Sequence, residues 1–98
     1  MSPSESLDLM WQSQIDSVMD NFDFGKVADV MRLLNWQWSS CACVPAESDL
    51  RIAARKLLKD VIAMKPNSFC GSGGLMARKI GETDLWLSFE IEKETTLE

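Results

Sequence analysis

The sequence predicts an α+β fold in which three helices precede an antiparallel β-hairpin or a three-stranded sheet. Two observations support this class. Up to Pro66, apolar residues recur every three or four positions, which is the spacing of helices with one buried face. From Leu85 to Glu92, apolar and polar residues alternate, as in a strand with one buried face. With 98 residues, 46% of them hydrophobic, the chain can form one small domain around a single core.

The first predicted helix extends to about Asp20. Ser2 is the expected N-cap, Pro3 suits the first helical position, and Glu5 completes a capping box. The first 25 residues contain five carboxylates and no Lys or Arg, so this helix is acidic. Its apolar residues at helical spacing are Leu7, Met10, Trp11, Ile15, Val18 and Phe22.

Two further helices follow. Asp23 can cap the second, which we expect to end near Asn35. The third is expected to begin at Pro45 or Ser48 and to stop before Pro66, because proline cannot continue a helix. The expected buried stripe of the third helix consists of Leu50, Ala54, Leu57, Leu58, Val61 and Ile62.

The C-terminal third has the pattern of a sheet. Residues 75–93 are expected to form a hairpin with a four-residue turn at 81–84, and a short strand at 68–70 would add a third member. The glycine-rich stretch 71–74 precedes a strand instead of a helix, which indicates a turn and not a phosphate-binding loop. Trp86 alternates out of phase with the buried residues and should lie on the opposite sheet face.

Residues 23–93 contain several landmarks in a fixed order. They are Asp23-Phe24-x-Lys26-Val27 with its continuation to Met31, Leu34-Asn35-Trp36-x-Trp38, Val44-Pro45, Leu50 to Leu58, Gly73-Gly74 and Leu85-x-Leu87-x-Phe89. In these landmarks the chain resembles a group of small uncharacterised proteins encoded by bacteriophages and prophages. The resemblance implies a shared helix, helix, hairpin fold and supplies no catalytic residue. Since residues 1–22 are an addition to this pattern, we expect an acidic amphipathic helix at 1–22 that is free of a core at 23–96. Residues 97–98 are typical of a cloning scar.

Composition limits the partners and the compartment. The net charge of −5 argues against general affinity for nucleic acid. The sequence has no apolar run of transmembrane length and no secretory signal pattern, and its three cysteines, an odd number, favour a reducing compartment. We therefore expect a protein of the host cell cytosol that has no membrane partner.

The sequence lacks the residues that most catalytic sites need. It contains no histidine, the usual acid or base at neutral pH, and hence nothing to activate a nucleophilic cysteine. Cys41, Cys43 and Cys70 are one ligand short of a structural zinc site. We expect a protein that is not an enzyme and uses no metal or cofactor.

One surface of the third helix is basic. Arg51, Arg55, Lys56 and Lys59 could contact phosphates, which gives the alternative prediction of a nucleic-acid-binding module. The interpretation that we favour is an ordinary polar face, because no aromatic residues are interleaved with these cations.

The predicted partner-binding residues are Asp8, Trp11, Asp16, Asp20 and Trp86. Three of the carboxylates lie along one face of the first helix over about 18 Å, too few charges to imitate DNA but enough for the basic groove of a protein. An exposed tryptophan is a typical interface anchor, although Trp86 could instead be covered by the first helix or by a second copy. A homodimer through the first helix or through the Trp86 face is therefore also open.

The resulting functional prediction is a small phage-type protein that binds another protein without chemistry. It would inhibit a host defence complex or a nucleic-acid-handling complex by steric and electrostatic occlusion. That setting rests on analogy with other phage accessory proteins.

Overall fold

The computed structural model describes residues 3–38 and 44–90, with side chains from Leu7 onward. The elements in chain order are α1 (Pro3–Asn21), α2 (Phe24–Leu33), α3 (Glu47–Ile62), β1 (Phe69–Ser72), β2 (Leu75–Ile80) and β3 (Asp84–Phe89). Three helices therefore precede a three-stranded antiparallel sheet, which confirms the α+β class. No helix in the described ranges is long and apolar enough to cross a membrane.

The helix boundaries follow local chemistry. Asp23 caps α2 as predicted, since its Oδ1 accepts a hydrogen bond from the backbone N–H of Lys26 at 3.0 Å. Beyond α2, Asn35 adopts a φ of 55°, a left-handed conformation that asparagine tolerates and that ends the helical path. At the start of α3, the backbone N–H of Ala46 donates to Oδ2 of Asp49 at 3.4 Å. This bond supports the helix start because alanine has no capping oxygen.

The sheet has the order β1-β2-β3. A two-residue turn at Gly73 and Gly74 joins β1 to β2, and both residues have positive φ angles, of 60° and 96°. A Cβ atom on Gly73 would lie 2.7 Å from the ring of Trp38, so only glycine fits there. The second turn comprises residues 81–83, one residue shorter than predicted, because β3 already begins at Asp84.

The core is built around α3. This helix contacts α1, α2 and all three strands. Five residues of its predicted stripe are buried, and Ile62 is partly buried. The core face of the sheet supplies Leu75, Ala77, Leu85 and Leu87, all of them buried.

The position of α1 corrects our expectation that it is free of the core. Trp11, Ile15 and Met19 follow one another at intervals of four residues and are all buried against the rest of the core, with Trp11 only 8% exposed. The helix packs on α3 and β3. The physical reason is that this stripe is wide enough to cover the apolar side of α3 that faces α1. Leu7 and Leu9 lie outside the stripe and are exposed.

The side chain of Lys79 on the sheet contacts both α1 and the end of α3. Lys79 lies on the core face of β2 and is only 9% exposed. Its Nζ donates hydrogen bonds of 2.9 Å to the backbone oxygens of Ile62 and Met64, at the end of α3. The same Nζ lies 5.4 Å from the ring centroid of Trp11 on α1. A cation therefore occupies the point where backbone oxygens at and just beyond the C-terminus of α3 meet an indole face, two environments that both favour positive charge.

Candidate interaction surface

The helices pack on one face of the sheet, and no described element packs on the other. We call this other side the open face; its side chains are Phe69, Met76, Arg78, Ile80, Asp84, Trp86 and Ser88. Phe69 and Trp86 are each 58% exposed, and Ile80 is 41% exposed. An antiparallel sheet normally places polar residues on the side that faces water. The open face departs from that pattern.

The central row of the open face runs across all three strands. Phe69 of β1 pairs with Arg78 of β2, which pairs with Trp86 of β3. Directly opposed side chains of an antiparallel sheet lie within contact distance of each other. The guanidinium carbon of Arg78 is 5.9 Å from the ring centroid of Phe69, a cation–π geometry. The row therefore presents two aromatic rings with a cation between them.

A groove adjoins this face along the outer side of β3. We call it the edge groove; it has a volume of about 420 Å³. Its walls are Gln14, Ser17, Val18, Asn21 and Phe22 of α1 and Leu85, Trp86 and Leu87 of β3. Trp86 belongs to both surfaces, so a bound partner can contact the open face and the edge groove together.

The predicted partner-binding residues do not form one surface. Trp86 is exposed on the sheet face opposite the core, as its alternation predicted. Trp11, in contrast, is buried, which corrects its assignment to a partner-binding surface. It belongs to the buried stripe of α1, and its indole face contacts the Lys79 cation.

The three predicted carboxylates of α1 differ in their surroundings. Asp8 and Asp20 are exposed. Asp16 is also exposed, but its Oδ1 accepts a hydrogen bond from Arg55 of α3 at 3.1 Å. One carboxylate of the predicted acidic edge therefore forms an ion pair within the chain, whereas Asp8 and Asp20 form none among the described residues.

The basic residues of α3 are partly compensated as well. Arg51 forms an ion pair of 2.9 Å with Glu47, and its guanidinium carbon lies 4.8 Å from the ring centroid of Phe24. Arg55 pairs with Asp16. Lys56 and Lys59, the other two members of the predicted nucleic-acid-binding set, are exposed. Two of the four cations thus have internal partners, which weakens this face as a site for phosphates.

The described cysteine is placed for a structural role. The Sγ of Cys70 donates to the backbone oxygen of Leu57 at 3.2 Å. Burial, with a further contribution from Asp60, raises the pKa of the Cys70 thiol above its ordinary value and so disfavours the nucleophilic thiolate. Cys41 and Cys43 lie outside the described residues. Within the described part, no group of three His, Cys, Asp or Glu residues could hold a metal ion.

Sequence reasoning missed Phe69, Arg78 and Ile80. The alternation that places Leu75 and Ala77 in the core also places Arg78 and Ile80 on the opposite side, so this signal was available. Phe69 had no comparable signal, because β1 has only four residues and two of its positions are glycine or serine. Its place beside Arg78 depends on the register that the Gly73-Gly74 turn imposes.

Comparison of the chain with family models, with curated proteins and with solved structures finds no match. The functional argument consequently depends on the geometry of the two adjoining surfaces.

Proposed function

We propose that this chain is a non-enzymatic protein-binding domain that contacts its partner through the open face and acts by occlusion. The observation that carries the proposal is the row of Phe69, Arg78 and Trp86, in which both rings are 58% exposed. Aromatic residues and arginine are enriched at the energetic centres of protein interfaces.

The energy available at this row is large for three residues. Aromatic side chains bury about 150–250 Å² each, so covering the exposed part of either ring removes about 100 Å² of apolar surface from water. At about 25 cal/mol per Å², this burial corresponds to about 2.5 kcal/mol of apolar transfer free energy for each ring, part of which offsets the entropy lost on association. Two such anchors in one row across the sheet provide the core of an interface.

The size of the open face indicates that the interface extends beyond it. Strands of four, six and six residues, about 4.8 Å apart, give a projected area of roughly 250 Å². A stable interface buries about 800 Å² on each partner. The edge groove adjoins the face through Trp86 and supplies the nearest additional surface.

Charge favours a basic protein as the partner. The chain carries a net charge of −5, and Asp8, Asp20, Asp84 and Glu90 are all exposed. A negatively charged surface accelerates encounter with a basic protein and repels the phosphates of nucleic acid. Together with the resemblance to phage and prophage proteins, this supports inhibition of a host defence or nucleic-acid-handling complex in the cytosol as the biological role.

The experiment is affinity capture from a bacterial lysate with the full chain and two variants. The double variant Phe69→Ser/Trp86→Ser removes both anchors. The matched control is Leu33→Ser, which removes an apolar side chain that is 85% exposed on α2 and outside both surfaces. Circular dichroism establishes that both variants are folded.

We expect the wild type and Leu33→Ser to retain the same protein and the double variant to lose it. The purified captured protein should then bind the wild-type chain directly. Equal retention by the double variant would contradict the proposal. A gel shift in which the chain alone binds DNA or RNA, with strong salt dependence, would favour the alternative on Arg51, Arg55, Lys56 and Lys59 instead.

A further inference from the structure

We infer that the edge groove binds an extended segment of a partner protein, which adds to β3 as a fourth strand and carries apolar residues flanked by Lys or Arg. The inference rests on the proposed function and names the chemistry of the partner. Strand addition beside a helix is a general mode of peptide recognition in which backbone hydrogen bonds supply affinity and side-chain pockets supply specificity.

The hydrogen-bonding pattern of β3 directs a row of its backbone N–H and C=O groups away from β2, where an added strand can pair with them. β3 is at the edge of the sheet and pairs with β2. The N–H of Glu90 donates to the backbone oxygen of Gly74 at 2.9 Å, so Glu90 is directed towards β2. In an antiparallel ladder this orientation alternates, and the N–H and C=O groups of Leu85 and Leu87 are consequently directed outwards.

The hydrogen bonds between β1 and β2 lead to the same assignment of the outward-directed residues of β3. The N–H of Lys79 donates to the backbone oxygen of Ser68 at 2.9 Å, so the backbone of Lys79 is directed away from β3. Lys79 and its β3 neighbour Leu85 therefore form a non-hydrogen-bonded pair. No described residue pairs with the outward groups of β3, which are available to an added strand.

The edge groove fits the side chains of such a strand. Val18 and Phe22 of α1 are partly buried and form an apolar wall, while Gln14 and Asn21 provide amides. The volume of about 420 Å³ falls in the range of pockets that hold ligands, about 300–1,000 Å³. A strand in this position would direct alternate side chains towards Val18 and Phe22 and the intervening ones towards the open face.

The charges around the edge groove favour basic residues at both ends of the bound segment. Among the described residues, the lining of the edge groove contains no Lys or Arg. Asp84 and Glu90 lie exposed just before and just after the outward-facing row of β3, with Glu82 in the preceding turn. A segment that is apolar in the middle and basic at both ends complements this arrangement.

The same charges disfavour a second copy of this chain in the groove. Antiparallel pairing of residues 84–90 with their own copy, in full overlap, would place Asp84 opposite Glu90 of the second copy at both ends. Like charges directly opposed across strands are destabilising, and charged edge residues are a common protection against self-association.

The test uses a synthetic peptide, acetyl-Lys-Arg-Val-Thr-Val-Thr-Val-Lys-Arg-amide, with a fluorescent label for anisotropy titration of the full chain. Two further peptides carry N-methyl groups either on the valine amides or on the threonine amides. In an added strand, one set of amides is directed at β3 and the other away from it. We expect one N-methyl peptide to bind at least about tenfold more weakly than the parent and the other to bind about equally.

Two protein variants on α1 provide a matched pair. Gln14→Arg places a cation in the groove and should weaken binding of the basic peptide about tenfold or more. Gln12→Arg adds the same side chain two residues away, at an exposed position outside the groove lining, and should leave the dissociation constant within about twofold. A peptide with Glu in place of Lys and Arg should bind more weakly than the parent.

The inference is overturned if the parent peptide shows no saturable binding up to about 1 mM. Equal binding of the two N-methyl peptides, or a dimer in sedimentation experiments that Gln14→Arg dissociates, would overturn it as well. If the peptide fails while capture of the partner still depends on Phe69 and Trp86, strand addition is wrong and the proposed function stands.

Discussion

Replacing Lys79 with methionine tests how the core holds α1 in place. Lys79→Met keeps the length and most of the volume of the side chain but removes its charge and its donors. The two hydrogen bonds of 2.9 Å to Ile62 and Met64 and the contact with the Trp11 ring are lost together. Because these three partners lie on α3, on the segment after it and on α1, the substitution should loosen both helices from the sheet.

The expected loss is about 2 to 4 kcal/mol. Hydrogen bonds that involve a charged group contribute about 1.5–3 kcal/mol each, and a partly desolvated cation–π contact adds about 1 kcal/mol. Two effects oppose this sum. The ammonium no longer has to be desolvated, and the methionine buries more apolar surface. Against a total stability of about 5–15 kcal/mol for a chain of this length, the net loss is large.

Urea denaturation followed by circular dichroism measures this difference. The control is Lys59→Met, which removes an exposed lysine of α3 and should change stability by less than about 0.5 kcal/mol. A double-mutant cycle with Trp11→Leu should give a coupling of about 0.5–2 kcal/mol for the pair of Lys79 and Trp11. If Lys79→Met were as stable as the wild type, desolvation would outweigh the contacts and the reasoning would be refuted.

Three further predictions concern the core. Deletion of residues 2–21 should abolish the cooperative melt, because Trp11, Ile15 and Met19 are buried and each contributes about 1.5–3 kcal/mol; a folded truncated protein in circular dichroism would show that α1 is dispensable. Leu57→Ala should cost about 2–5 kcal/mol in chemical denaturation, and an unchanged midpoint would contradict the burial of Leu57. Since the pKa of Cys70 is raised in the folded state, the unfolded chain loses this proton first, and stability should fall as the pH rises past about 9. Cys70→Ser should flatten that alkaline slope in pH-dependent melts.

The sequence was sufficient for the elements and for most of the core, for physical reasons that particular residues make clear. Leu50, Ala54, Leu57 and Val61 follow one another at intervals of four, three and four, which fits one helix face and not a strand, and all four are buried. Asp23 is followed by an apolar helix stripe and caps α2 as expected. Such features depend on neighbours within one or two helical turns, which the sequence displays directly.

The features that the sequence did not predict depend on contacts between distant segments. A lysine at position 79 interrupts the apolar pattern on the core face of β2, and the end of α3 and the ring of Trp11 explain why it is buried there. Likewise, the sequence showed the apolar periodicity of α1, but it did not show which surface of the core this helix covers. The reasoning that residues 23–96 needed no further cover failed because Trp11, Ile15 and Met19 of α1 are buried in the same core cluster as the apolar residues of α3.

The placement of α1 also changes where a partner can bind. Had the helix been free, its apolar stripe and its carboxylates would have formed one surface; instead the stripe is buried and Asp16 pairs with Arg55. The two exposed aromatic residues of the described chain, Phe69 and Trp86, both lie on the sheet, and α1 forms one wall of the edge groove. Because Lys79 holds that wall against the sheet, the stability of the core and the width of the groove depend on the same contact. Lys79→Met should therefore weaken the binding of an added strand without touching it, whereas Phe69→Ser should leave the groove intact.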